Sequence, residues 1–462
     1  MRAPGDILLL STYELGHQPL HLASPLGFFA EAGFAPRAID LHVEKLDEEA
    51  VRRARLIAIA VPMHTALRLG MRVARRVRAL NPRAHLCFYG LYAPLHRAHL
   101  IEEAGGRADS VIGGEFEVEL VALARRLESE NISYDNVIPR SIVLDKLAFP
   151  RPARGALPPL ARYAHLLVAD EQRTAGYVEA SRGCLHQCRH CPIPSVYDGR
   201  FFVVQEKTVI EDIRQQVAAG ARHITFGDPD FLNGPEHALR VARALHRELP
   251  EVTFDATAKI EHLLKHRAML PELKSLGCLF VVSAVESLSE RVLTVLDKGH
   301  TRADVDLALE LTRAAGITLR PSLMPFSPWE TLASYRELLA FIAARDLVDQ
   351  IEPIHLAIRL LIPPGSKLLE LAEVQALVGP LDAAALSYTW SHPDPRMDAL
   401  QRAVYAAVEA GTAADEDPRA TFFRVQALAL AVADGRPLPA TPPGRSERGP
   451  ARAPRLSEAW FC

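Results

Sequence analysis

Apolar residues in this chain fall in short runs separated by longer amphipathic stretches. Between residues 6 and 130 the runs ILLLST (7–12), RAIDLHV (37–43), RLIAIAVP (55–62), HLCFYG (85–90) and ADSVIG (108–113) each have the length of a buried strand. Between them lie segments such as LRLGMRVARRVRAL (67–80), whose apolar residues recur at helical spacing. Strands alternating with helices predict a doubly wound parallel sheet, whose ligands bind at the carboxyl ends of the strands. No GxGxxG follows the first strand, which argues against a dinucleotide site.

The rhythm fades over residues 131–175, where FPRPARGALPPL (149–160) reads as a connector. It resumes with YVEAS (177–181), RHITFG (222–227), EVTFDAT (251–257), LFVVSAV (279–285), ITLRPSLM (317–324) and IHLAIRLL (354–361). EDIRQQVAAG and HALRVARALHREL are among the helical stretches between them. The pattern predicts a partial barrel of six βα units, with chemistry at the strand ends. DALQRAVYAAVEAG and a stretch near 421–434 read as helices, and GRPLPATPPGRSERGPARAPRL (435–456) as an extended, mobile arm. The expected division is a sheet domain over 1–130, a linker over 131–175, a barrel over 176–390, and a helical extension and tail over 391–462.

At 462 residues the chain has room for two or three domains, at roughly 100–200 residues each. A formal net charge of −3 gives no support for a nucleic-acid partner. No apolar run reaches the ~18 residues of a membrane span. MRAPGDILLLSTYELG reads as a first strand and not as a signal peptide. Cys184, Cys188 and Cys191 are clustered, while Cys87, Cys278 and Cys462 are scattered; this is no disulfide framework and fits a reducing cytoplasm. Core packing is the expectation for Cys87 and Cys278.

The clustered cysteines lie in RGCLHQCRHCPIP, a CxxxCxxC array directly after a predicted strand. Three thiolates so close suit a 4Fe-4S cluster, which normally takes four cysteines. Three protein ligands leave one iron open to another ligand. The residues also leave open a Cys3His zinc site with His186 or His190 as fourth ligand. Zinc ribbons, however, generally pair two ligand clusters, and no second CxxC follows.

RGCLHQCRHCPIP at the head of a βα barrel resembles the radical S-adenosylmethionine (SAM) superfamily. The resemblance implies that the open iron is chelated by SAM, whose reductive cleavage gives a 5′-deoxyadenosyl radical. It implies an electron donor such as a flavodoxin or ferredoxin. His190 stands where the superfamily often has an aromatic residue. The resemblance also implies cofactor contacts. Asp228 and Asp230 in GDPDFLNGP would meet the methionine amino group, and Glu286 and Ser287 the ribose. Lys298, Arg320 and Arg359 would serve the SAM carboxylate. The residues allow plainer roles: a turn for the Asp-Pro-Asp segment, a helix cap for Ser287 or Ser289, and ion pairs inside the barrel for the arginines.

Residues 1–130 resemble the cobalamin-binding domain that precedes many radical SAM barrels, so cobalamin is a candidate cofactor. The DxHxxG motif is absent; only His17 and His21, in ELGHQPLHLASP, occupy the corresponding loop. SEAWFC, with SLMPFSPWET and HLAIRLLIPPGS, resembles the CUAEP/CCAEP-tail radical SAM proteins, which implies a redox role for Cys462 and a chain truncated at a selenocysteine codon. The function expected is that of a radical SAM enzyme acting on a small molecule or peptide. The alternatives are a cobalamin-dependent radical SAM methyltransferase and a non-catalytic iron–sulfur or zinc sensor.

Overall fold

Runs of Leu, Ile and Ala with no charged residue form strands buried on both faces. A computed structural model describes residues 1–102, 108–129, 141–169, 171–437 and 452–458. Its first sheet contains β1 (Ile7–Ser11), β2 (Arg37–Asp40), β3 (Leu56–Ala60), β4 (His85–Tyr89), β5 (Ser110–Gly114) and β6 (Ile142–Val143). All pairs are parallel, in the order β2-β1-β3-β4-β5-β6. Alternate residues feed two cores. Ile7, Leu9, Ala58 and Cys87 pack toward the helices Leu20–Glu31 and Glu117–Glu128. Leu8, Leu10, Ile57 and Phe88 pack toward the helix His64–Leu80. The sheet is thus doubly wound, and Cys87 is a core residue.

The second sheet belongs to the barrel. It comprises β7 (His165–Val168) and β8 (Glu171–Val178), followed after the short hairpin β9 (Ser181–Gly183) and β10 (Phe201–Val203) by β11 (His223–Phe226), β12 (Thr253–Thr257), β13 (Cys278–Glu286) and β14 (Thr318–Leu323). The order is β14-β13-β12-β11-β8-β7. The five strands from β8 to β14 are parallel, and β7 returns antiparallel. The outward side chains, among them Ile224, Phe254, Cys278 and Leu319, form one large core with the surrounding helices.

The sixth unit departs from expectation. Residues 354–361 form a short 3-10 turn (Pro353–Leu356), and a single parallel bridge joins Phe326 to Arg359. The reason lies in the hydrogen bonds. Pro353 has no N–H to give a ladder, and the Leu323 N–H at the end of β14 is taken by the His355 side chain (3.2 Å). The linker is also shorter than expected, because Ile142 and Val143 join the first sheet and β8 begins at Glu171.

A hairpin, β15 (Val378–Asp382) with β16 (Ser387–Trp390), follows the barrel and inserts Leu386 into the core of the first sheet. The predicted helical extension is present as Pro395–Ala413 and Pro418–Ala433, which pack on each other and on the barrel core. The arm is only partly as expected. Residues 438–451 lie outside the described residues, but β17 (Arg455–Leu456) pairs antiparallel with β7. An exposed edge strand has unpaired backbone groups to offer, and this segment takes them. Cys462 lies outside the described residues.

Candidate functional site

The cysteine loop starts at the carboxyl end of β8 and is framed by the β9/β10 hairpin. Gly183 makes the entry turn at φ 73°; a Cβ there would collide with the Arg200 carbonyl and the Tyr197 ring. Cys184 and Cys188 are buried, Cys191 is half-buried, and no disulfide joins the described cysteines. Arg189 fastens the far side of the loop. Its backbone N–H donates to Leu296 O (2.9 Å) and its guanidinium to Val295 O (2.8 Å), at the end of the helix Glu290–Leu296. Burial pushes the Cys184 thiol up, an effect partly offset by the His186 N–H.

Glu286 and Lys298 sit beside this loop. Lys298 Nζ is 3.3 Å from Glu286 Oε1, and His190 Nε2 is 3.2 Å from the same oxygen. Burial alone would raise the Glu286 carboxyl, but the Lys298 charge and the His190 hydrogen bond outweigh it and hold the group at about 2. Burial would likewise lower Lys298, and the charges of Glu286, Cys188 and Cys191 raise it instead. His190, in the aromatic position, therefore links the cluster loop to β13. Glu286 itself has φ 65°, at a break in the β13–β14 register.

Asp228 and Asp230 follow β11 but point to different partners. Asp228 accepts from the Ala180 N–H (2.9 Å) and from the Ser181 hydroxyl, pinning the β8–β9 corner. Its burial pushes the carboxyl up to about 7. Asp230 caps Leu232 N (3.0 Å) and turns its other oxygen to His262 Nδ1 (2.7 Å) and His186 Nε2 (3.7 Å). His186 comes from the cluster loop itself, so Asp230 and His262 buttress that loop from below. Burial pushes His186 down to about 4.

Ser287 donates to Glu330 Oε2 (2.7 Å) and accepts from the Ser289 N–H (3.0 Å). Arg320 projects from β14 into the barrel lumen and pairs with Glu352 (2.7 Å). Arg359 is elsewhere: it binds Asp398 (2.6 Å), stacks on Trp390 (3.5 Å) and ties the helical extension to the barrel. The structure therefore gathers Glu286 and Lys298 around the cysteine loop. Asp228 and Asp230 lie beneath it, Arg320 deeper in the lumen, and Arg359 outside.

Two adjoining cavities open here. The lumen cavity, about 190 Å³, runs from Ile193 and Pro229 near the cysteine loop to Arg320 and Glu352. The second, about 160 Å³, lies between the two sheets. One wall is made by residues just past the strands of the first sheet: Leu15 after β1, Met63 after β3, Leu91 after β4 and Phe116 after β5. The other is made by Tyr177, Arg182, Ile193 and Pro229 of the barrel. The carboxyl ends of both parallel sheets thus face one another across a cleft. Arg182, buried, holds the faces together through Glu117 (2.8 Å) and is braced on its own side by Glu179 (2.8 Å). Arg154 of the connector does the same through Asp212 (2.8 Å) and the Gln18 carbonyl (2.9 Å).

Several of these residues are not legible as site residues from spacing alone: His262, Glu330 and the acids paired with Arg182. Asn233 had a signal, since it lies in the same GDPDFLNGP segment; its Oδ1 is 3.9 Å from Cys184 Sγ.

Residues 178–342 match the model of the Radical SAM superfamily, so the barrel part of the chain carries a domain of that description. Among curated proteins it is similar to the hopanoid C-3 methylase of Methylococcus capsulatus, 23% identical over 68% of this chain and 62% of that protein. It is also similar to the ribosomal protein uS12 methylthiotransferase RimO of Parabacteroides distasonis, 26% identical over 37% of this chain and 41% of that one. The chain spans less than two thirds of the length of either relative. Among solved structures, the cobalamin-dependent SAM radical enzyme OxsB, with aqua-cobalamin and SAM bound, aligns over 91% of this chain and 72% of its own, at TM-score 0.67 and 14% identity. The radical SAM methyltransferase TsrM from Kitasatospora setae aligns over 87% of this chain and 89% of its own, at TM-score 0.65 and 16% identity. The two-sheet architecture is that of these cobalamin radical SAM proteins. Among the described residues no helix is long and apolar enough to cross a membrane.

Proposed function

We propose that this protein is a cobalamin-dependent radical SAM enzyme that methylates a small molecule. The observation that supports this reading best is the cleft in which the strand ends of a flavodoxin-ordered sheet meet the cysteine loop of the barrel. Ligands of such sheets bind at the switch point, here between β1 and β3, and Leu15 and Met63 flank that point.

The residues present fit the groups. Three thiols within one loop, two buried and one half-buried, with Lys298 beside them, are a donor set for a 4Fe-4S cluster with one open iron. The apolar lips of the cleft suit the flat face of a corrin, with Leu15, Met63, Leu91 and Phe116 to one side and Ile193 and Pro229 to the other. His21 is poorly suited as a cobalt ligand. Burial lowers its basicity, but the Glu14 charge and hydrogen bond (3.1 Å) outweigh this and favour the cationic form, which has no lone pair at either nitrogen. His17 stacks on Tyr177 (4.7 Å) and lines the lumen cavity and not the cleft, so cobalamin would sit here without a histidine from the first loop. When bound, the cluster supplies the electron for SAM cleavage and cobalamin carries the methyl group.

The chain's own residues do the rest. Cys184, Cys188 and Cys191 would hold the cluster, with His190, Glu286 and Lys298 fixing one side of their loop and His186, His262 and Asp230 the other. Lys298 and Glu286 would meet the carboxylate and a polar group of SAM. The lumen cavity, walled by Phe226, Phe280 and Val282, keeps water from the substrate. Its small volume favours a small molecule over a folded protein. The test is anaerobic reconstitution with iron, sulfide and cobalamin, followed by reduction in the presence of SAM. Formation of 5′-deoxyadenosine supports the reading, and an intact cluster that never cleaves SAM overturns it.

A further inference from the structure

The half-barrel has two open sides, at β14 and at β7, and residues 452–458 join them. Arg455 and Leu456 pair with Leu167 and Leu166 of β7, and the Ser457 N–H donates to His165 O (2.7 Å). Toward β14, the Pro454 carbonyl accepts from Arg320 (3.2 Å), and Arg452 reaches Glu352 (3.2 Å). Leu456 packs on Leu166, Phe280 and Val282. Glu458 meets Tyr13, from the loop after β1, at 3.5 Å. This segment is therefore one wall of the lumen cavity, to which Arg455, Leu456 and Glu458 all contribute.

Around Arg455 the charges of that cavity do not balance, although four acids and two arginines line it as a whole. Each acid already has a partner. Asp228 takes Ser181 and the Ala180 N–H. Asp255 takes His223 (2.8 Å) and Thr225 (2.7 Å). Glu352 takes Arg320 and Arg452, and Glu458 takes Tyr13. Among the cations, Arg320 is spent on Glu352 and the Pro454 carbonyl. The guanidinium of Arg455, half-buried, makes no hydrogen bond or ion pair among the described residues. Nε of Arg452 is buried with no acceptor. Three guanidinium groups thus converge on one carboxylate, since nearby Asp349 is already held by Arg419. Buried charge of one sign calls for a counter-charge, and the fork of an arginine matches a carboxylate or phosphate.

We propose that the lumen cavity takes a small organic anion. Its apolar body lies against Phe280 and Leu456, and its carboxylate or phosphate group meets Arg455, so that residues 452–458 form the substrate-recognising wall of the barrel. This rests on the function proposed above only in taking the lumen cavity as the substrate site.

The test uses the full chain, anaerobically reconstituted and free of SAM, with four probes sharing one ring: phenylacetate, phenyl phosphate, phenylacetamide and phenethylammonium. Binding is followed as the saturable rise in thermal unfolding midpoint. At least one of the two anions should bind, the preference between them identifying the group, while the neutral amide and the ammonium ion leave the midpoint unchanged. Arg455→Ala should weaken anion binding by about tenfold or more, the scale of a lost charge-assisted contact, and Arg455→Lys should restore part of it. The β17 pairing uses only backbone atoms, so neither variant should lower the ligand-free midpoint below that of the parent. The proposal is overturned if the ammonium probe binds as well as the anions, if Arg455→Ala leaves anion affinity unchanged, or if none of the four binds. Formation of 5′-deoxyadenosine by the parent protein is scored separately, so failure here leaves the radical SAM reading standing, and failure there leaves this result readable.

Discussion

The two parallel sheets of this molecule share a strand pattern and use it differently. In the first, β1 and β3 are buried along their whole length, and both faces feed packed cores. Only the loops past the strand ends are left to meet a ligand. In the second, one face packs on helices and the other looks into the lumen, where His223, Asp255 and Arg320 stand. A sheet covered on both sides offers its edge of loops; a sheet rolled into a half-barrel offers a whole face as well. The cysteine loop sits where the edge of one meets the edge of the other.

The largest effect should come from the loop between the sheets. Cys188→Ala should abolish the cluster, seen as loss of stoichiometric iron and of 5′-deoxyadenosine formation, with the fold retained by circular dichroism. Retention of a full cluster by this variant would contradict the ligand assignment. Next in size is the doubly covered sheet. Leu10→Ala should cost about 3 kcal/mol in denaturant unfolding, as expected for a fully buried leucine. A lumen residue should behave otherwise: Thr257→Ala, facing the cavity, should change stability by no more than about 0.5 kcal/mol. Equal costs for the two would erase the distinction drawn between the sheets.

A pH effect of intermediate size belongs to Asp228. Its folded carboxyl titrates at about 7, above the ordinary value, because of burial. The native state therefore holds a proton that the unfolded chain releases at about pH 4. This contribution to stability is full below that pH and is lost as pH rises through about 7. Asp228→Asn should flatten the fall in stability between those limits, measured as the denaturant midpoint across the range. A slope unchanged by the substitution would show that the proton is held elsewhere.

Much of the fold is legible in the sequence because both sheets are built from apolar runs of the right length. Five of the six strands of the first sheet and the barrel strands from β11 to β14 lie close to the predicted runs, while β8 overlaps its run only at Tyr177 and Val178. The sixth run fails because IHLAIRLL has the composition of a strand but is preceded by Pro353 and competes with the His355 side chain for backbone partners. The arm fails for the opposite reason. Its Pro- and Arg-rich composition signals no pairing, yet the open edge of β7 captures two of its residues. At the site, CxxxCxxC is readable because its ligands are local. His262 and Glu330 reach the site only through folding, and no spacing announces them. Arg359 shows the converse: a lone arginine in an apolar run looked like a lumen group, and the missing strand turned it outward onto Asp398 and Trp390.

The cleft between the two sheets is the centre of the account, and it is tested most directly by purifying the protein anaerobically with hydroxocobalamin and recording the visible spectrum after desalting. The account predicts a stoichiometric corrinoid band in addition to the iron–sulfur absorption, weakened when Leu15 or Met63 is replaced by Asp at the lip of the cleft. A protein that keeps its cluster but retains no corrinoid would contradict it.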